Sequence, residues 1–154
     1  MYRIVADVST GEVAQVPLTV EEEAVWAENR AIEEANALPN AKIAKNADIN
    51  QWREDANLTS FPHLGKVVSC DKLSRSDIDG VAGNIALFGT FPAGFPGAWK
   101  ATDNSYIMMP TIQEFKDMYA SMTAQGSENF AHSQSLKTAL AAATTQAEID
   151  AIVW

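Results

Sequence analysis

Two histidines, His63 and His132, and a single cysteine, Cys70, have the widest chemical repertoire in this chain. A nucleophilic site would need Cys70 or a serine within hydrogen-bond reach of one of those histidines. Cys70 follows His63 across one predicted strand, which permits proximity. No nucleophile elbow or Cys-Gly signature surrounds it, so it reads as a small buried hydrophobe. The histidines show no His-x-x-x-His spacing and the carboxylates are scattered, which is not a metal-ligand pattern. Glu21-Glu22-Glu23 puts neighbouring carboxylates on different helix faces, a poor geometry for acid–base work. The run from Gly89 to Gly97 has no Lys-Ser/Thr element and no following helix start, so it makes a loop and not a phosphate cradle. No catalytic residue, no metal ligand and no cofactor is therefore expected. Phe91, Phe95 and Trp99 could present an aromatic platform to a sugar ring or a partner, or fold back to close the core, each burying on the order of 150 Å² or more. Trp52, Trp99 and Trp154 are read as core anchors.

The elements that must position these residues begin with a β-hairpin. Tyr2, Ile4, Ala6 and Val8 alternate with Arg3, Val5 and Asp7; Ser9-Thr10-Gly11 supplies the turn, and Val13 to Val16 run back. Thr19-Val20-Glu21-Glu22 is a capping box, so a helix should start at about Thr19. Its apolar residues Val25, Trp26, Ile32 and Ala35 form one narrow stripe among six glutamates, and such a stripe should face a partner. Leu38-Pro39-Asn40 is expected to stop it. A second helix follows from Ala41 to Glu54, with Ile43, Ala47, Ile49 and Trp52 near one face, broken by Asp55-Ala56-Asn57.

Two short β-like runs lie within residues 59–70, around His63-Leu64-Gly65. Asp71 can cap a helix over about residues 71–87, in which Gly80 and Gly83 each weaken helicity by roughly 1 kcal/mol relative to Ala and suggest close packing. The segment from Phe88 to Gly97 has too many Gly and Pro residues for regular structure and too many Phe residues for a solvated linker, so it is read as an ordered loop pinned by its aromatics. A second hairpin is expected around Thr102-Asp103-Asn104. Thr111-x-x-Glu114 caps a helix to about Ala143, the longest element expected, and Thr145-x-x-Glu148 opens a last short one.

The chain has 154 residues, 47% of them hydrophobic, enough for one real core plus an N-terminal appendage. Its 11 Lys and Arg against 20 Asp and Glu give a net charge of −9, which argues against nucleic acid and anionic membranes as partners. No apolar run approaches the roughly 20 residues of a spanning helix, and Met1-Tyr2-Arg3-Ile4 lacks a signal-peptide pattern, so membrane insertion is not expected and the mature chain should be the translated, soluble one. One cysteine excludes an internal disulfide framework. Residues 1–60 hold 11 acidic and 5 basic residues, a net of −6, so the acidic excess sits on the N-terminal helix, where a solvated face is the simplest reading.

From Ile49 onward the chain resembles a domain family of unknown function found in tailed bacteriophage genomes. The likeness is carried by Ile49-Asn50-Gln51-Trp52-Arg53, Val67-Val68-Ser69-Cys70-Asp71, Ser74-Arg75, Gly80-Val81-Ala82-Gly83, Trp99-Lys100-Ala101-Thr102-Asp103-Asn104-Ser105 and Phe130-Ala131-His132-Ser133-Gln134-Ser135-Leu136-Lys137, in order, over about residues 41–154. The chain departs from the family at Pro62-His63-Leu64, where a polar turn is usual, and in its Phe- and Pro-rich loop.

The resemblance implies a setting at the C-termini of tail-fibre proteins or in small tail-fibre accessory proteins. It implies a non-enzymatic tail structural protein, tail-fibre or baseplate-associated, present in the virion tail and in host cytoplasm before assembly. A tail-fibre assembly chaperone not retained in the virion is the alternative, and an enzyme acting on host-surface glycan would need a carboxylate pair that does not stand out. The partners expected are tail-fibre or baseplate proteins, with homo-oligomers as a further arrangement. The fold class expected is α+β: an N-terminal hairpin and acidic helix over residues 1–40 for attachment or oligomerisation, then a compact domain over residues 41–154 of short antiparallel hairpins packed against two or three helices. The partner-binding candidates are Val25, Trp26 and Ile32 on the helix and Phe91 and Phe95 in the loop.

Overall fold

A computed structural model describes residues 2–154 and shows an α+β protein of three separate two-stranded antiparallel sheets and four helices. Strands β1 (Tyr2–Ala6) and β2 (Val13–Pro17) pair with Ile4 opposite Gln15 and Ala6 opposite Val13. Local turn chemistry holds the hairpin closed, since the Asp7 carboxylate accepts the Ser9 N–H at 2.8 Å and the Ser9 hydroxyl at 2.6 Å, while Gly11 takes the positive φ of 75° that the turn needs. Nearly every residue of the hairpin is exposed.

Helix α1 (Val20–Asn57) opens at the expected Thr19 capping box, with Glu22 returning a carboxylate to the Thr19 N–H. It does not stop at Leu38-Pro39-Asn40. Pro39 lies inside a continuous helix of 38 residues, and the expected second helix is its C-terminal half. A proline removes one backbone hydrogen bond and crowds the carbonyl four residues earlier. Packing offsets that cost, because Leu38 and Ala41, on either side of the proline, both rest against a buried cluster. Asp55-Ala56-Asn57 forms the last turn, closed by the Leu58 N–H on Glu54 and Asp55 carbonyls. The longest element is therefore α1, not the 31-residue α3.

The remaining elements follow the expected order. Strands β3 (Ser60–His63) and β4 (Lys66–Ser69) pair across Leu64-Gly65, both at positive φ. Asp71 caps α2 (Lys72–Phe88) by accepting the Leu73 and Ser74 N–H groups, and Gly89 ends that helix in the left-handed region. Strands β5 (Ala98–Lys100) and β6 (Tyr106–Met108) form the third hairpin, joined to β4 by the Thr102 N–H on the Val67 carbonyl at 2.9 Å. Helices α3 (Ile112–Ala142) and α4 (Gln146–Asp150) both start at the expected capping boxes.

Two buried clusters result. One joins Phe61, Val68 and Cys70 of the second hairpin region to Ile78 of α2 and Phe115 and Met118 of α3. The other joins Ile49 of α1 to Leu140 at the end of α3 and to Ile149 and Ile152 around α4. Gly80 and Gly83 do not mark close packing, since a methyl group at either would meet nothing within 4 Å. Trp52 and Trp99 are half-buried, but Trp154 is 41% exposed, edge-on to His132, and is not a core anchor. Among the described residues, no helix is long and apolar enough to cross a membrane.

Candidate interaction surfaces

The structure brings a serine to His63 that the sequence did not single out. His63 Nδ1 lies 2.9 Å from the Ser121 hydroxyl on α3, and that hydroxyl also donates to the Asp117 carbonyl at 3.1 Å. A hydroxyl has one proton. With that proton on the Asp117 carbonyl, the Nδ1–H tautomer of His63 would donate to Ser121. Burial holds the His63 pKa below its ordinary value, against the weaker pull of Asp117. No carboxylate is hydrogen-bonded to the ring's other nitrogen among the described residues. The arrangement fastens β3 to α3.

Cys70 is 2% exposed and is not bonded to His63. Burial pushes its thiol pKa up, opposed by the Arg75 guanidinium. A raised pKa keeps sulfur as the unreactive thiol at neutral pH. Among the described residues, no three His, Cys, Asp or Glu side chains come together in a way that could hold a metal ion.

The loop from Phe88 to Gly97 is ordered over the first cluster. Phe91 and Phe95 stack on each other at 4.2 Å between centroids, and both meet buried Phe115 edge-on, at 6.2 and 6.3 Å. Asn84 of α2 ties the loop down by donating to the Thr90 carbonyl at 2.7 Å, and the Met109 N–H bonds Gly97. Each of the two rings is half-buried, covered in part by the core and in part by the other ring, with the remainder reaching solvent.

The N-terminal candidates are placed differently. Val25, Trp26 and Ile32 are 57%, 42% and 52% exposed, and no described residue before Ile49 is buried. Val25 and Trp26 line one shallow hollow with Leu18 and Asn29, while Ile32 lies two turns further along α1. Arg30 reaches back over the Trp26 ring at 5.4 Å and also pairs with Glu34 at 2.8 Å. Arg3 of β1 is paired with Glu22, which links the hairpin to the first turn of α1. The apolar groups here are displayed on a helix whose other half is anchored.

A family model described as a domain of unknown function (DUF4376) matches residues 40–153. No curated protein and no solved structure matches the chain. The match begins next to Leu38, where α1 first touches a buried cluster, so residues 2–37 lie outside both.

Proposed function

The chain belongs to the DUF4376 family, and from that premise we propose that it is a non-enzymatic structural protein of a bacteriophage tail, attached to tail-fibre or baseplate proteins through its N-terminal arm. The observation that carries this reading is the arm itself. Residues 2–37 contain no buried residue, yet they display Ile4, Val25, Trp26 and Ile32 on a hairpin and a helix that continue without a break into a domain with its own core. Exposed apolar groups on a rigid support are the usual mark of a surface that a partner covers. The resemblance of residues 41–154 to domains at the C-termini of tail-fibre proteins supplies the class of partner. Residues 1–40 carry eight acidic and two basic residues, so a basic rim on the partner would complement the stripe. The protein would meet its partner in host cytoplasm and remain in the virion tail.

The test is co-purification of the chain with candidate phage tail-fibre and baseplate proteins. The wild type should co-purify with one of them, and a variant carrying Val25→Ser, Trp26→Ser and Ile32→Ser should not, while unfolding at an unchanged temperature. Equal recovery of the variant would overturn the attachment role of the arm.

A further inference from the structure

Between the C-terminal half of α1 and the start of α2 lies a solvent-open cleft of about 570 Å³, walled by Asn50, Arg53, Asn57, Lys72 and Arg75, with Glu54 and Leu58 at its side. Three cations against one carboxylate make it a positive spot on a chain of net charge −9. Its hydrogen-bonding groups are biased the same way. Lys137 has only donors, so its 2.6 Å bond to Asn50 fixes the Asn50 oxygen toward α3. The Asn57 oxygen likewise accepts from Asn129 at 2.9 Å. Both amide N–H groups are left without a partner among the described residues.

Arg53 adds the least expected feature. Its guanidinium lies 4.9 Å from the centre of the Phe130 ring, and its Nε is the one buried side-chain nitrogen or oxygen without a hydrogen-bond partner among the described residues. Neither Arg53 nor Lys72 has an anionic partner among them, and Arg75 has only Asp79, at 3.8 Å. No carboxylate among the described residues thus neutralises Arg53 or Lys72, and an oxyanion in the cleft would accept charge-assisted hydrogen bonds from them. The first turn of α2 does not supply the attraction, because Asp71 already occupies the Leu73 and Ser74 N–H groups.

We infer that this cleft binds the oxyanion of a small ligand, a carboxylate or a phosphate, held by Arg53 and Lys72 with the Asn50 and Asn57 amides beside them. A cleft of this size has room for a ligand larger than the anion alone.

The experiment is calorimetric titration of the full chain, at constant ionic strength held with sodium chloride, with inorganic phosphate in one arm and succinate in the other. Saturable one-to-one binding is expected in at least one arm, with a Kd of about 1 mM or tighter. Binding in the phosphate arm alone identifies a phosphate ligand, and binding in the succinate arm alone a carboxylate. Lys72→Met, at an exposed position, should weaken it by about tenfold, as should Arg53→Met. Glu54→Gln should tighten it by removing the opposing charge. No saturable heat in either arm, or binding undiminished in both methionine variants, would overturn the proposal. Lys72→Met guards against a misfolded Arg53 variant, and none of these readings depends on what the N-terminal arm binds.

Discussion

Phe91 and Phe95 show how a single ring can serve stability and contact at once. Each is covered in part by Phe115 and in part by the other ring, with the remainder reaching solvent, so Phe91→Ala or Phe95→Ala should cost about 2 kcal/mol, below the usual figure for a fully buried phenylalanine. Chemical denaturation measures that loss. The sequence also marks both rings as partner-binding candidates, so partner affinity should fall in the surviving folded fraction, and unchanged affinity would remove both rings from the contact surface. His63 makes a pH prediction. Its native pKa is held below the unfolded value of about 6.5, so the unfolded state takes up the proton first and stability falls as pH drops. The contribution is whole above about pH 6.5 and erodes below it, as the pH falls toward and through the lowered native value. His63→Gln should flatten that slope in melts between pH 7 and 5. Cys70 was legible in the sequence as a small buried hydrophobe because no nucleophile signature surrounds it. Ser121 was not, because it reaches His63 from 58 residues away and no local pattern marks it.

At the scale of elements, legibility follows the range of the interactions that set each boundary. The capping boxes at Thr19, Thr111 and Thr145 and the Asp71 cap are short-range devices, and all four helices begin where those residues place them. Pro39 misleads because its local penalty is offset by packing between α1 and α3 that only the folded chain supplies. Pro39→Ala should therefore restore a backbone hydrogen bond in mid-helix and raise the melting temperature. A fall in melting temperature would show that Pro39 itself contributes to the packing of α1 against α3. Gly80 and Gly83 are the second misreading at this scale. With open space around both positions, Gly80→Ala and Gly83→Ala should each stabilise the chain by about 1 kcal/mol. Destabilisation by either would mean that a neighbour approaches that helix face in the assembled protein.

For the whole molecule, the separation between an exposed arm and a domain with its own buried clusters was partly visible in the charge excess of the first 60 residues and in the narrow stripe on the first helix. The cleft around Arg53 was not visible, since Asn50, Arg53 and Asn57 meet Lys72 and Arg75 only after α1 and α2 have both packed against α3. Removing residues 1–40 should leave a chain that unfolds cooperatively but no longer joins the proposed tail partner, because the contacts of α1 with α3 and α4 begin at Leu38 and Ala41 and are centred on Ile49. The proposed function makes this chain a lasting part of a phage tail. Mass spectrometry of purified phage particles from infected cells that express the chain tests that proposal most directly: its peptides should appear in fixed ratio to a tail-fibre or baseplate protein, and their absence from the particles, despite expression in the infected cell, would overturn it and leave the assembly-chaperone reading in its place.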